Sequence, residues 1–499
     1  MEKIIFFTIA FFCVILSSAQ NKSRTIYIDI IYPTMTKDTV MIEYQHNGMS
    51  LSALEKVKIS DSLLNNHFEI NPEKDDKIFY LSFSGKKQYF LINYLVEPGD
   101  SIQIFVEHAQ IQFRGRGSEK YQCRYEMDNI NKVFPWQRTH LKYNVNKGEL
   151  IFDSLYYTNY IPDNKAFQKR QYSAAKCSEE VLKWYKDRLS VYVYNLLLAN
   201  LYGDVENRIW NSLNIAFNSF VTNVDPIQKK EIQDSLVNIY LNRNVPNFSK
   251  IPDSVLAFSH TYLTYLCKGN LRKGGFAEAV SLRKDPSLKK TELELFSENH
   301  QGILRDKLIT QYLITNFAEL PNISNLISYA MKNVSDPESR KLLSSLNHTN
   351  TKGSKGFAFN LPDFYGNFRT LNEFRGKVIL LDFWFTGCSS CAIMAKNLKP
   401  VAEYFKNNKN VIFISISTDE RLSIWRKSVI QEIYTNKHSV DLFTEGKGID
   451  HPIIKHYKIK GYPTLIMIGK DSKVITTSVI KPYNEKDKND LIKLIEKNL

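Results

Sequence analysis

Two cysteines three residues apart, in Cys388-Ser389-Ser390-Cys391, are the side chains of this chain best placed to do chemistry. A thiolate attacks a disulfide sulfur, and a second thiol nearby can resolve the mixed disulfide that forms. The same spacing can supply half of a zinc site, with His451 and His456 completing it, or it can be a pair of buried structural thiols. The zinc reading fits less well. Those histidines lie far beyond the roughly 12–15 residues between ligand pairs in a compact finger, and the sequence has no second C-x-x-C.

The elements that must position the pair favour redox chemistry. Val378-Ile379-Leu380-Leu381-Asp382-Phe383-Trp384-Phe385 is a nearly continuous apolar run, the pattern of a buried strand. Thr386-Gly387 makes a turn. Ala392 to Phe405 then places Ile393, Met394, Leu398, Val401, Ala402 and Phe405 at the spacing of one helix face. A thiol at such a junction sits at a helix N-terminus, where the dipole and unpaired N–H groups favour thiolate. Cys388 is therefore the expected exposed nucleophile and Cys391, inside the first turn, the shielded resolving thiol. Downstream, Lys460-Gly461-Tyr462-Pro463-Thr464 leads into Leu465 to Ile468, the turn Gly469-Lys470-Asp471-Ser472 and Val474 to Val479, which reads as loop, strand, tight turn and antiparallel strand. A proline opening a strand can be cis and offers no N–H, leaving neighbouring backbone groups free for an extended partner.

The segments DFWFTGCSSC and GYPT, in this order and spacing, resemble the thioredoxin superfamily and, within it, the extracytoplasmic TlpA/ResA-type thiol-disulfide oxidoreductases. Phe357 to Phe364, Tyr365-Gly366-Asn367, Leu371 and Arg375-Gly376-Lys377-Val378 resemble the extension that precedes the catalytic strand there, so the likeness covers about 357–499. The resemblance implies that Cys388 attacks, that Cys391 resolves, and that Pro463 is the cis-proline beside the active site. It also implies that Tyr462 and Pro463 border the substrate groove and that Asp382 relays a proton to the resolving thiol. The pattern departs from the family at three places. Gly387 stands where Trp is common, Ser389-Ser390 replaces Gly-Pro or Pro-Pro, and Lys396 stands where a helix proline is usual. Pro400 comes one turn later, where it removes the bond to the Lys396 carbonyl and should bend the helix. The peroxiredoxin pattern needs Thr three and Pro seven residues before the reactive cysteine; Phe385 and Leu381 stand there, which disfavours a peroxidase.

Lys3, the apolar run Ile4 to Leu16 and Ser17-Ser18-Ala19 have the form of a secretory signal peptide cleaved after Ala19. The run is shorter than the roughly 20 apolar residues of a membrane span. Cys13 follows Phe11-Phe12 rather than small residues, which argues against lipidation. A periplasmic mature protein without a transmembrane segment is expected. Of the six cysteines, Cys123, Cys177 and Cys267 fall in helical stretches and are read as buried free thiols, with one bridge left open. The chain of 499 residues is 43% hydrophobic, with 28 Tyr and 30 Phe against 20 Gly and 16 Pro, so it can bury more than one core. Its net charge of +14 is spread along the sequence, as on a solvated surface, and no nucleic-acid partner is expected.

The expected architecture is multidomain. It comprises a signal peptide (1–19), an antiparallel β-sandwich (24–116), a mainly α-helical middle region (117–345), a linker (346–356) and a C-terminal α/β thioredoxin-like fold (357–499). Strands are read over 25–30, 40–44, 77–81, 89–95 and 101–106, and helices over 179–200, 226–242, 253–267 and 292–317. The β-rich start also resembles a module often attached to such thioredoxins. The aromatic cluster Trp184, Tyr185, Tyr192 and Tyr194 reads as core. The expected function is thiol-disulfide exchange with protein substrates, in the reductive direction, fed by a membrane or periplasmic electron donor. No cofactor and no metal are expected. The alternatives are a non-catalytic partner-binding protein that uses the thioredoxin domain as scaffold, and a zinc-binding protein.

Overall fold

The computed structural model describes residues 24–31, 41–46, 55–58, 65–72, 76–84, 89–107, 110–133, 141–144, 149–152, 155–218, 225–269, 275–284, 291–316, 320, 323–349, 353–457, 459, 461–477 and 479–499. The signal-peptide reading, with Cys13 and the Ala19 cleavage site, lies outside them.

The first strands are β1 (Ile26–Ile31), β2 (Met41–His46), β3 (Glu55–Lys58), β4 (Asn65–Ile70), β5 (Phe79–Ser84), β6 (Tyr89–Val96), β7 (Ser101–Glu107) and β8 (Gln110–Arg116). They form two four-stranded sheets, β4-β1-β7-β8 and β3-β2-β5-β6. Along β1 the residues Ile26, Ile28 and Ile30 are buried and their neighbours are not, the period of two expected when one face meets a core. They share one core with Phe79, Leu81 and Phe83 of the second sheet, which makes the pair a sandwich. The sandwich is not purely antiparallel: β1 pairs with β7 in parallel, Tyr27 opposite Ser101 through Ile31 opposite Phe105. The intervening strands supply the long crossover that a parallel pair requires.

The helix Ser118–Val133 adds Tyr121 to the same core and carries Lys120, which is buried against Asp100 at 2.7 Å and Glu97 at 3.2 Å. The chain divides into two compact units, and the one that holds both sheets also holds this helix and Ser173–Leu198. The boundary expected at 116/117 is therefore not a boundary between compact units.

The middle region contains the helices Leu155–Trp184, Val191–Asn218, Pro226–Leu241, Asp253–Leu256, His260–Gly269, Gly275–Lys284, Glu292–Asn299, Gly302–Thr315, Ile323–Asn333 and Pro337–Thr349. Three stretches read as single helices are each broken. The breaks have local causes: the Ser190 hydroxyl accepts the Val193 N–H at 3.1 Å, and the Ser259 hydroxyl accepts the Tyr262 N–H at 3.2 Å, each starting a new helix as an N-cap. At the third break His300 and Gln301 are both extended. A hairpin, β9 (Leu141–Asn144) and β10 (Glu149–Phe152), interrupts the region read as helical. Of the expected core aromatics, Tyr185 is buried but Trp184 is 82% exposed. The expected linker is corrected at both ends: Leu346 is buried in the helix Pro337–Thr349, and the Gly353 and Gly356 N–H groups donate to the Val474 and Ser472 carbonyls.

The C-terminal domain has β11 (Asn360–Pro362), β12 (Phe368–Thr370), β13 (Val378–Trp384), β14 (Val411–Ser417), β15 (Ser439–Phe443), β16 (Thr464–Ile468) and β17 (Val474–Thr476). Its five-stranded sheet runs β15-β14-β13-β16-β17, with β13, β14 and β15 parallel and β16 and β17 antiparallel to their neighbours. β13 is central and has a core on each face. Ile379, Leu381 and Phe383 face Phe359, Leu361, Ile453 and Ile454, whereas Leu380 faces Met394, Leu398, Leu491 and Ile495 of the helices Ser389–Tyr404 and Glu485–Glu496. A strand covered on both sides is apolar almost throughout, which is why β13 reads as an apolar run interrupted by Asp382 alone.

Candidate active site

Cys388 ends the turn after β13 and is the N-cap of the helix Ser389–Tyr404, with an extended backbone and its Sγ accepting the Cys391 N–H at 3.1 Å. The two cysteines are joined as a disulfide, with Cα atoms 5.2 Å apart. Cys388 is 6% exposed and Cys391 2%, so in this oxidised form the nucleophile expected to be exposed is nearly as covered as its partner. Trp384, Trp425, Tyr434 and Phe443 form one buried cluster with the two cysteines. The helix runs through Pro400 without a break.

Ser390 lies between the two other parts of the site, its Oγ 3.5 Å from Cys388 Sγ and donating to the Tyr462 carbonyl at 3.4 Å. The Tyr462–Pro463 peptide bond is cis, Pro463 is buried, and the Tyr462 ring meets Phe385 edge-on at 5.4 Å. Ser390 thus links the Cys388–Cys391 pair to the Tyr462–Pro463 peptide.

The turn before Cys388 is held by residues that sequence reasoning missed. Asp419 accepts from the Thr386 N–H and hydroxyl, both at 2.8 Å, and from the Ser417 hydroxyl at 2.9 Å. The Tyr434 hydroxyl accepts the Gly387 N–H at 2.9 Å while its ring stacks on Trp384 with centroids 4.9 Å apart. Gly387 has φ +96°, and a Cβ added there would touch nothing within 4 Å. Glycine is needed for the backbone, since L side chains rarely adopt that conformation. No motif could have announced Asp419 or Tyr434, which stand at the end of β14 and in the loop before β15.

Asp382 points to the same face of the sheet as Leu380 and lines a cavity of about 10 Å³ with Ala395, Leu398, Ser415, Thr435 and Ser439. Its Oδ1 is shut off from solvent and has no hydrogen-bond partner. Burial pushes its carboxyl up to about 7, partly opposed by the Lys481 ammonium. Asp441 is a second displaced carboxyl on this face: burial raises it to about 6 against the hydrogen bonds of Thr435, Ser439 and Ser415.

The histidines of the zinc reading are occupied otherwise. His451 caps the helix Pro452–His456, its Nδ1 accepting the Ile453 N–H at 3.2 Å, and the His456 ring packs on Phe357 and Tyr457. Among the described residues no group of three or more His, Cys, Asp and Glu side chains is placed to hold a metal ion. Cys123 and Cys267 are buried free thiols, but Cys177 is exposed, contrary to expectation. No described helix is long and apolar enough to cross a membrane.

Residues 376–474 match the Thioredoxin-like family model, and the C-terminal domain of this chain is thioredoxin-like. The chain is 31% identical over 123 residues to the thiol-disulfide oxidoreductase ResA of Bacillus thuringiensis, a match covering 25% of this chain and 66% of that protein, and equally to ResA of Bacillus cereus. The chain thus spans just under two thirds of the length of these curated relatives. Similar solved structures include the thioredoxin domain of a thiol-disulfide oxidoreductase from Bacteroides vulgatus (27% identical, TM-score 0.26, 30% of this chain and 96% of that one). Another is a thiol:disulfide interchange protein from a Bacteroides species (30% identical, TM-score 0.25, 30% of this chain and 90% of that one).

Proposed function

We propose that this protein is an extracytoplasmic thiol-disulfide oxidoreductase that reduces disulfides in protein substrates. The observation that carries the reading is the Cys388–Cys391 disulfide at a helix N-terminus, with the Cys391 N–H aimed at Cys388 Sγ. Once reduced, that N–H and the helix dipole stabilise a Cys388 thiolate. The thiolate attacks a substrate disulfide; a new S–S bond forms and one substrate sulfur leaves as a thiol. Cys391 gives its proton through water to Asp382 and attacks Cys388 Sγ, which releases the second substrate sulfur and leaves the oxidised pair. Two electrons pass to the substrate, and an external dithiol donor, membrane-bound or periplasmic, restores them. Tyr462 and Pro463 border the groove, where free backbone groups can pair with an extended peptide. No metal or cofactor takes part.

Trapping tests the reading. Cys391→Ser should hold substrates covalently on Cys388 in acid-quenched, non-reducing gels, and Cys388→Ser should trap nothing. The reverse pattern would exchange the roles, and trapping by neither variant would favour a scaffold protein. The potential of the pair tests direction: a value near about −270 mV fits reduction and one near about −120 mV oxidation.

A further inference from the structure

The cavity beside Asp382 leads to a second carboxyl. Asp382 is registered with Ser415 on β14, and Ser415 with Asp441 on β15, so the three stand in one row across three parallel strands. In-register residues of adjacent strands project from the same face, and strands two apart are separated by roughly 10 Å. That distance is too long for direct proton transfer and suits one water plus a hydroxyl. The cavity is lined by Asp382, Ser415, Thr435 and Ser439, and its volume of about 10 Å³ is near the least that admits one water. Two of the lining hydroxyls reach Asp441: the Thr435 hydroxyl bonds its Oδ1, the Ser439 hydroxyl lies 3.1 Å from the same atom, and Thr435 and Ser439 are 2.6 Å apart. Ser415 joins Asp441 as well, while accepting the Trp384 indole N–H at 2.6 Å. Asp382, by contrast, lines the cavity with its Oδ1 unpartnered. Asp382 and Asp441 are each partly buried, but Asp382 Oδ1 is shut off from solvent, whereas Asp441 lies on the edge strand, where a proton that reaches it can leave.

We propose that Asp441 is the outlet of a proton path running from Asp382 through a cavity water and the Thr435–Ser439 hydroxyls to the edge of the sheet. The inference rests on the proposed role of Asp382. In the resolving step the Cys391 S–H bond breaks and the proton moves through water to the Asp382 carboxylate. It then passes to the water, the water hands a proton to a hydroxyl, and that hydroxyl gives its own to Asp441, which releases it to solvent. Oxidation state is unchanged along the path, and running it backwards protonates the thiolate. Asp441 is a positioning residue, acting through Asp382. The charged groups around the path are Lys481 at the Asp382 end and Glu432 at the Asp441 end. Tyr434 stands on the cavity wall, and the His438–Glu403–Lys437 ion pairs flank the turn before β15.

The test is single-turnover reduction of 5,5′-dithiobis(2-nitrobenzoate) by the full mature chain in a Cys177→Ser background, which removes the exposed competing thiol. The first thionitrobenzoate reports attack by Cys388 and the second reports resolution by Cys391. Asp382→Asn should slow only the second phase near neutral pH, by about tenfold or more. Asp441→Asn, which keeps an acceptor for the hydroxyls, should slow the same phase about three- to tenfold, and Thr435→Val should do likewise. Both should converge on the parent by about pH 9, where the thiol ionises without a relay. Adding Asp441→Asn to Asp382→Asn should slow resolution no further. The proposal is overturned if Asp441→Asn leaves the second phase unchanged, slows both phases equally at every pH, or adds fully to Asp382→Asn. If Asp382→Asn itself has no effect, the role given to Asp382 fails instead.

Discussion

Asp382 sits where a carboxylate is hardest to keep, in an apolar strand with Oδ1 unpartnered, and its proton is held up to about 7. The folded state therefore keeps a proton between pH about 4 and 7 that the unfolded chain has lost. Where the folded state binds more protons, stability falls as pH rises. Moving a carboxyl from 3.8 to about 7 costs at most about 4 kcal/mol, all of it present above the folded value. Asp382→Asn removes that titration, so the oxidised variant should gain stability over the parent as pH goes from about 4 to about 8. Urea unfolding at several pH values checks this, and a difference independent of pH would refute it. At Tyr434 the prediction runs the other way. Tyr434→Phe keeps the ring on Trp384 but strips the Gly387 N–H of its acceptor. The loss should be about 0.5–1.5 kcal/mol, the net worth of one part-buried hydrogen bond, read from the same denaturant curves.

Elements were legible where one local rule decided them. The β13 run, the turn at Gly387 and the helix after it follow from hydrophobic pattern and the conformational needs of glycine, so the cysteines could be placed at a strand–helix junction from sequence alone. The cis Tyr462–Pro463 bond came by resemblance, since an X-Pro at a strand start is ordinary by itself. What escaped depended on pairing across long separations. Polar β3 and β4 are strands because β2 and β1 lie beside them, and the parallel β1–β7 pair is invisible to any local pattern. Asp441 owes its importance to registration with Ser415. The turn before Cys388 gives a test at this scale. Gly387→Ala meets no steric obstacle, yet forces a side chain into φ +96°. It should destabilise the oxidised protein by about 1–2 kcal/mol through the backbone alone, without loss of neighbouring packing. A neutral result in thermal unfolding would show that the turn relaxes.

Over the whole molecule the redox pair belongs to one compact unit, and the sandwich core to the other. The sandwich has its own apolar core and a buried Lys120–Asp100 pair, whereas Trp384 and Trp425 share a buried cluster with Cys388 and Cys391. A chain built this way should not unfold in one all-or-none step. Denaturant titration of the full chain should give at least two transitions when tryptophan fluorescence, to which the unit without the sandwich contributes the buried Trp210, Trp384 and Trp425, is compared with far-ultraviolet dichroism. Reducing the Cys388–Cys391 disulfide removes a constraint present only in the C-terminal domain, so it should move the fluorescence transition and leave the sandwich transition in place. The Lys120→Met variant should do the opposite, because it strands the buried Asp100 carboxylate, a loss of about 3–5 kcal/mol confined to the sandwich. Coincident transitions, or a shift of both by either perturbation, would mean that the two units fold as one and that redox state at Cys388 is felt throughout the chain.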